Sequence, residues 1–154
     1  MALNEVKEYL KKYNADDRVV VLDESSATVS MAAHALHTIE ERIAKTLSFR
    51  VKDKIVLIVL AGDAKINNSK FKHYFGEKAH MLPFDEVLEL TGHPVGGVCP
   101  FAVKSGVEVY LDESLKRFET VFPACGSPAS AIEVTIKELE EFSNPVDWID
   151  VSTI

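Results

Sequence analysis

The segment TLSFRVKDKIVLIVLAG, residues 46–62, contains two apolar stretches that are separated only by Lys52 and Asp53. Strand-like stretches joined by two polar residues predict a β-hairpin. We therefore expect residues 46–51 and residues 54–62 to form an antiparallel pair of strands, with the rest of the chain arranged around it.

Before the hairpin, the sequence predicts two helices and one strand. Residues 3–13 form the first amphipathic helix, because apolar side chains recur there at helical spacing, at Leu3, Val6, Leu10 and Tyr13. The run RVVVL, residues 18–22, predicts a buried strand. Ser25 or Ser26 can cap the second helix. One face of that helix carries the apolar residues Val29, Ala32, Ala33 and Leu36.

After the hairpin, residues 62–68 predict a loop. Asn68 is expected to cap a helix that ends at Phe75, and a further helix, FDEVLEL, is expected to follow Pro83. Three later segments have strand-like composition: VEVYL at 107–111, TVFPA at 120–124 and AIEVTI at 131–136. Pro123 places the second of these at a sheet edge or a bulge. KELEEF, residues 137–142, predicts one or two final helical turns.

The predicted elements mix hairpins with helices and lack a regular alternation of strand and helix, which favours an α+β fold with a mixed curved sheet. The chain has 154 residues, 47% of them hydrophobic and 27% charged, a composition typical of a globular protein with a core. We expect residues 1–154 to form a single domain.

Composition also narrows the function classes. The formal net charge of −7 disfavours a surface that broadly coats nucleic acid, although it leaves room for a local basic patch. No apolar run is long enough to cross a bilayer, and the charged N-terminal stretch differs from a signal peptide, so we expect a cytoplasmic protein without membrane contact. Its two cysteines, Cys99 and Cys125, are then expected to be reduced, although the sequence leaves open whether they meet in space.

The stretch TGHPVGGVCPFAV, residues 91–103, contains three glycines and two prolines and therefore predicts a shaped loop. Three chemistries fit its composition. Cys99 could act as a nucleophile with His93 as its base, His93 and Cys99 could hold a metal, or backbone amides of the loop could bind a ligand.

The first two chemistries have simpler alternatives. An unpaired cysteine such as Cys99 more often serves as a small packing residue, and no nucleophile elbow surrounds it. His34 and His37 are three residues apart on a predicted helix, but no third ligand lies at a suitable spacing, so we expect no metal site. The sequence GHPVGG also lacks the spacing of a dinucleotide-binding loop, and no cofactor is expected.

Lys45 lies in an apolar setting, ERIAKTLSFRV, where a predicted helical segment passes into a strand. A buried ammonium group needs anionic or carbonyl partners, so Lys45 either meets an internal carboxylate or faces a ligand. Lys65, Lys70 and Lys72 form a second basic set that could attract phosphates, although a solvated helix face is the simpler interpretation.

Five segments, taken in order, resemble the YbaK/EbsC family of prolyl-tRNA editing-type deacylases. They are IAKTLSF, VLIVLAGDAKINNSKFKHYFG, LTGHPVGGVCPFAV, VYLDESLKRFETVFPACGSPASAIEV and ELEEF. The resemblance covers the chain from about Asp23 onward. It implies one α+β domain with a barrel-like mixed sheet surrounded by helices. It also implies hydrolysis of the ester that joins a wrong amino acid to the 3′ end of tRNA, in trans to the synthetase.

The resemblance assigns roles to particular residues. It places the functional lysine at Lys45 and the substrate loop on Gly92, His93, Pro94, Gly96 and Gly97. It places a later turn of the site at Gly126 and Ser127. We expect amides of the loop, at Gly96 and Gly97, to stabilise the oxyanion of ester hydrolysis while water attacks. Cys99 and metals then have no catalytic role.

Departures from the family pattern bear on the substrate. Ala131 stands where members that act on Cys-tRNA(Pro) tend to carry an aspartate, and SSATVSMAAHAL, residues 25–36, is closer to relatives that clear Ala, Ser or Thr. Thr28 and Met31 are expected to shape the amino-acid pocket. The expected partners are misacylated tRNA and an aminoacyl-tRNA synthetase, and a non-catalytic tRNA-binding or synthetase-binding module is the alternative.

Overall fold

The hairpin forms the centre of the sheet. We describe residues 2–154 of the chain in a computed structural model. Strands β2 (Ile43–Val51) and β3 (Lys54–Ala61) pair antiparallel from end to end. Lys52 completes the tight connection in the left-handed conformation, with φ 55°. The predicted hairpin is thus confirmed, and its first strand begins three residues earlier than expected.

Six strands form the main sheet, in the order β8, β6, β2, β3, β5, β9. The hairpin and the β6–β8 pair are antiparallel, whereas β2–β6, β3–β5 and β5–β9 are parallel, so the sheet is mixed and curved as predicted. Two small two-stranded sheets join β1 to β7 and β4 to β10. The remaining strands are β1 (Val20–Val21), β4 (Lys65–Ile66), β5 (Glu108–Asp112), β6 (Thr120–Pro123), β7 (Ser130–Ala131), β8 (Val134–Thr135), β9 (Asp147–Ile149) and β10 (Ser152–Thr153).

Helices surround the sheet. They are α1 (Ala2–Leu10), α2 (Val29–Ala35), α3 (Asn68–Phe75), α4 (Val87–Thr91) and α5 (Ile136–Ser143). Thr28 caps α2, where we predicted Ser25 or Ser26, and Asn67 caps α3, where we predicted Asn68. Thr135 and Glu138 form a capping box at the start of α5. None of the helices within residues 2–154 has the length and apolar content needed to span a membrane.

Two strand predictions were wrong. The run at residues 18–22 forms only the short β1, whose Val20 and Val21 are 45% and 56% exposed, because its single partner is the equally short β7 at the surface. The segment 131–136 is divided between β7, β8 and the start of α5. Pro123 ends β6 beside β2 and is not at a sheet edge. It is the last residue of its strand, where the missing N–H removes a single donor, and its carbonyl still accepts the N–H of Ile132.

Most of the core packs between the sheet and helices α1, α3 and α5. A second, smaller apolar cluster lies under α2, where Ala32 and Ala33 contact Ile43 at the start of β2. The side chains of Val29, Leu36 and Phe122 complete this cluster. Beyond it, α2 and β2 diverge, and the space between them is the cavity described next.

Candidate functional site

A cavity of about 470 Å³ opens between β2, α2 and the glycine-rich loop. Most of its lining is apolar, from Val29, Leu47, Val87 and Val98 among others. The polar or charged lining residues are Ser26, Thr28, Lys45, Thr46, Ser48 and Ser130. A largely apolar pocket with a few converging polar groups is the usual form of a small-molecule site.

Lys45 carries the only ionisable side chain that lines this cavity within the described part of the chain. It is the third residue of β2, inside the strand, because the 3-10 turn Glu40–Arg42 ends just before that strand. Its Nζ donates a hydrogen bond to the carbonyl oxygen of Gly62 at 3.2 Å. No carboxylate of residues 2–154 lies within salt-bridge distance of this ammonium group.

Burial lowers the pKa of Lys45 below that of a free lysine, and the charge of Asp63 opposes that shift. Asp63 is nevertheless held elsewhere. The guanidinium group of Arg117 donates two hydrogen bonds to its carboxylate, at 2.6 and 3.1 Å. This pairing also keeps the pKa of Asp63 below its usual value. The lysine therefore has a carbonyl partner in the protein and retains donors for a ligand.

Gly62 is a site residue that our sequence reasoning missed. A Cβ at this position would overlap the carbonyl oxygen of Glu40 and lie 2.8 Å from Cγ1 of Val29. Only glycine lets the backbone pass this close and present its carbonyl to Lys45. The sequence did carry a signal, since a glycine directly ends the long apolar run of β3.

The two glycines of the loop differ in position. Gly96 lines the cavity with φ 87°, a left-handed conformation that favours glycine. Gly97 lies behind it, and a Cβ there would be 2.6 Å from the backbone nitrogen of Ser127. The N–H of Gly97 donates to the carbonyl of Pro94 at 3.0 Å. Its amide is therefore already paired within the loop, whereas Gly96 is the glycine that lines the cavity.

Gly126 and Ser127 support the loop from behind and do not line the cavity. The N–H of Gly126 donates to the carbonyl of Gly97 at 3.1 Å, and Ser127 shares a 2.9 Å hydrogen bond with the hydroxyl of Ser130. Of these residues, Ser130 lines the cavity. The predicted turn is thus next to the site, and its backbone sets the position of the loop.

The first half of the loop does not reach the cavity. Gly92 ends α4, Pro94 begins the next turn, and His93 is fully buried with Nε2 2.7 Å from the carbonyl oxygen of Phe101. Burial lowers the pKa of His93, which favours the neutral ring. These three residues, which we predicted to bind substrate, lie outside the cavity lining and support the loop from within.

Cys99 lies 3.6 Å from Nε2 of His93, as a nucleophile and base would, but neither side chain lines the cavity. Complete burial raises the pKa of the Cys99 thiol to about 12. A reactive thiolate requires the opposite environment. The geometry therefore argues against the cysteine-hydrolase alternative.

On α2, the structure brings one of the two predicted pocket residues to the site. Thr28 lines the cavity, and its hydroxyl accepts the N–H of Met31 at 3.1 Å as the helix cap. The side chain of Met31 is 41% exposed and lies outside the lining. Of the two residues that we predicted to shape the pocket, Thr28 therefore lies in the cavity wall and Met31 lies at the surface of α2.

Thr46 is a second residue that the sequence did not single out. Its hydroxyl oxygen is buried, yet it has no hydrogen-bond partner within residues 2–154. It follows Lys45 on β2 and lines the cavity. A buried hydroxyl without a partner carries a desolvation cost, so this oxygen lowers the stability of the fold.

The other polar candidates do not join the cavity. Lys70 donates to Asp150 at 3.0 Å and to the carbonyl of Ser152 at 2.8 Å, which are structural contacts between α3 and the region of β10. Lys65 and Lys72 are exposed. Residues 2–154 contain no group of three or more His, Cys, Asp or Glu side chains arranged to hold a metal ion.

Comparison with known proteins gives a consistent result. A family model described as the aminoacyl-tRNA editing domain matches residues 23–142. The uncharacterized protein YwhH of Bacillus subtilis (strain 168) is 55% identical over 152 residues, which cover 98% of this chain and 97% of YwhH. A proline–tRNA ligase of Halalkalibacterium halodurans is 35% identical over 115 residues. That match covers 74% of this chain and 20% of the ligase.

A solved structure has the same fold along nearly its whole length. It is the crystal structure of a proposed trans-editing enzyme for prolyl tRNA synthetase, with a TM-score of 0.88 and 27% sequence identity. The superposition covers 99% of this chain and 98% of that one. The matched family segment, residues 23–142, contains β2, α2 and the glycine-rich loop, which together form the cavity.

Proposed function

Since the chain belongs to the aminoacyl-tRNA editing domain family, we propose that it is a trans-acting deacylase. In this proposal it hydrolyses the ester between a small amino acid and the 3′ end of a non-cognate tRNA, with residues 1–154 acting as one domain. The observation that carries the proposal is the ammonium group of Lys45, which lies in the wall of an apolar cavity without a carboxylate partner.

The geometry supports a mechanism based on charge stabilisation. Attack of water on the ester carbonyl develops negative charge on its oxygen, and a cation or amide in a poorly solvated cavity stabilises that charge strongly. Lys45 provides the cation. Gly96 and Val98 line the cavity, and neither of their N–H groups has an acceptor within residues 2–154, so these amides are the candidate oxyanion donors.

The proposed substrates are tRNAs that carry Ala, Ser, Thr or Cys. The cavity wall is mostly apolar, and in this proposal Thr28 shapes the part of it that receives the amino acid. Discrimination among small apolar side chains is weak in such a pocket, so several misacylated tRNAs are expected to react. A match to part of a proline–tRNA ligase supports tRNA(Pro) as the tRNA and the synthetase as a partner, in the cytoplasm where tRNA is charged.

The test is release of amino acid from tRNA(Pro) charged with Ala, Ser, Thr or Cys, measured for the parent protein and Lys45→Ala. We expect the parent to deacylate at least one of these tRNAs and Lys45→Ala to lose nearly all of that rate. Lys45→Arg should also fail, because a planar guanidinium cannot replace a compact ammonium in a small pocket.

Thermal unfolding of the same three proteins is the control. Lys45→Ala removes a half-buried charge, which favours the folded state, and one hydrogen bond, the loss of which disfavours it. Because these two effects oppose each other, we expect the melting temperature to change by only a few degrees. The alternative function, a non-catalytic module that binds tRNA or a synthetase, would be supported if the parent binds charged tRNA(Pro) and releases no amino acid.

A further inference from the structure

An exposed apolar rim borders the cavity. It consists of Met81, Phe84 and Val95, which all line the cavity. Phe84 is 78% exposed and Met81 is 58% exposed. Large apolar side chains grouped on a surface beside a pocket mark a binding surface more often than side chains scattered singly.

The rim is held rigidly against β2. The N–H of Arg50 donates to the carbonyl of His80 at 2.9 Å, and the N–H of Leu82 donates to the carbonyl of Ser48 at 3.0 Å. Met81 thus bridges to Phe49 like a residue of an added strand. Pro83, with φ −58°, then leads directly into the turn that presents Phe84. A side chain presented in this way loses little freedom when it binds a ligand.

The rim and Lys45 are linked through β2. Ser48, to whose carbonyl the N–H of Leu82 donates, is three positions after Lys45, which is about 10 Å along a strand. In the proposed reaction the ester is bonded to the ribose of the terminal nucleotide. An ester at Lys45 therefore places that nucleotide's base at the mouth of the cavity, within reach of the rim.

Charge selects which part of the nucleotide can bind here. Asp85 directly follows Phe84 and is exposed, and Glu89 is exposed on α4, whereas Glu86 is paired with Arg50 at 3.5 Å. The two exposed carboxylates disfavour a phosphate group, whereas an uncharged base can stack on an aromatic ring. We propose, on the basis of the proposed function, that Phe84, with Met81 beside it, is the stacking platform for the 3′-terminal base of the tRNA.

The first experiment compares the deacylation kcat/KM of the parent, Phe84→Ala, Phe84→Trp and Leu88→Ala on charged tRNA(Pro). Leu88 is the matched control, because it is apolar and 58% exposed on α4 but does not line the cavity. We expect Phe84→Ala to lose roughly 5- to 150-fold, the measured range for removing one base–aromatic stack. Phe84→Trp and Leu88→Ala should stay within about twofold of the parent, and the Phe84→Ala loss should persist at high salt because stacking involves no ion pair.

The second experiment measures stacking without catalysis. An uncharged RNA hairpin ending in CCA, with 2-aminopurine as its last base, is titrated with each protein, and its fluorescence should be quenched by the parent and much less by Phe84→Ala. If deacylation occurs but Phe84→Ala matches the parent in both experiments, the platform is wrong and the deacylase function stands. If quenching depends on Phe84 but no deacylation occurs, the platform stands and the proposed function fails.

Discussion

Arg117 is predicted to keep Lys45 available by holding Asp63 away from it. Asp63 directly follows Gly62, whose carbonyl oxygen is 3.2 Å from Nζ of Lys45. Both carboxylate oxygens of Asp63 accept hydrogen bonds from the guanidinium of Arg117. Arg117→Ala removes these bonds and leaves a carboxylate next to the lysine's own hydrogen-bond partner. We expect Asp63 then to pair with Lys45 and to compete with substrate for the ammonium group.

The size of the effect follows from Coulomb's law. Two unit charges 4 Å apart attract by about 1 kcal/mol in water and about 4 kcal/mol at an effective dielectric constant of 20. Asp63 is 24% exposed and Lys45 is half-buried, so solvent screening places the new pair between these limits. Breaking it would cost about 1–3 kcal/mol, which corresponds to a roughly 5- to 150-fold loss of kcat/KM.

The assay is the pH dependence of deacylation. The new pair stabilises the charged form of Lys45, so the pKa of Lys45 must rise. The alkaline limb of the pH–rate profile should then shift to higher pH by about one to two units, while the rate at neutral pH falls. Asp63→Ala in the Arg117→Ala background removes the competing carboxylate and should restore most of the rate. Lys116→Ala is the control, because Lys116 pairs with Glu113.

Two results would refute this interpretation. Arg117→Ala could retain the parent rate, or the double variant could be as slow as the single one. In the second case, a large fall in melting temperature would identify Arg117 as a structural residue, since it also donates to the carbonyl of Ser114 and stacks on Phe118. Thermal unfolding of each variant separates these outcomes.

Three further predictions concern stability. Gly97→Val should lower the melting temperature by roughly 2–12 °C, because its Cβ would meet the Ser127 backbone; an unchanged temperature with lost deacylation would contradict this. Thr46→Val should raise the unfolding free energy slightly, because it removes a buried hydroxyl that has no hydrogen-bond partner within residues 2–154; a lower unfolding free energy in urea would contradict this. Arg18 lowers the pKa of Glu138 to about 2, so the ionised carboxylate stabilises the fold. The parent should therefore have a higher free energy of unfolding in urea than Glu138→Gln at pH 7, and this difference should shrink below about pH 4.5. A difference that stays constant with pH would contradict the prediction.

The sequence predicted those parts of the fold that local patterns determine. The β2–β3 hairpin and α3 were predicted nearly to the residue, because a two-residue turn and an asparagine before a helix act over a few positions. The predicted strands at 18–22 and 131–136 were too long, since β1, β7 and β8 have two residues each and depend on their partners. The final strands after α5, which have three and two residues, were missed.

The site was predictable only in part, because most of its distinctions are tertiary. Lys45 was singled out by its apolar neighbours and the ordered motifs around it, and it lies in the cavity wall. Gly97 differs from Gly96 in that its N–H donates to the carbonyl of Pro94. Nothing in a sequence of two adjacent glycines indicates which of them makes that hydrogen bond. Asp63 and Arg117 are 54 residues apart, so no local spacing could connect them.

The features around Lys45 together indicate what its charge is for. Gly62 gives the ammonium a carbonyl partner, Arg117 holds the neighbouring carboxylate, and the cavity wall is mostly apolar. A lysine kept without a counterion in such a place interacts weakly with a neutral ester and strongly with the oxyanion that forms from it. This difference between the ground state and the transition state accelerates a reaction. The arrangement therefore suits turnover better than simple retention of tRNA, which would gain more from exposed cations along the phosphate backbone.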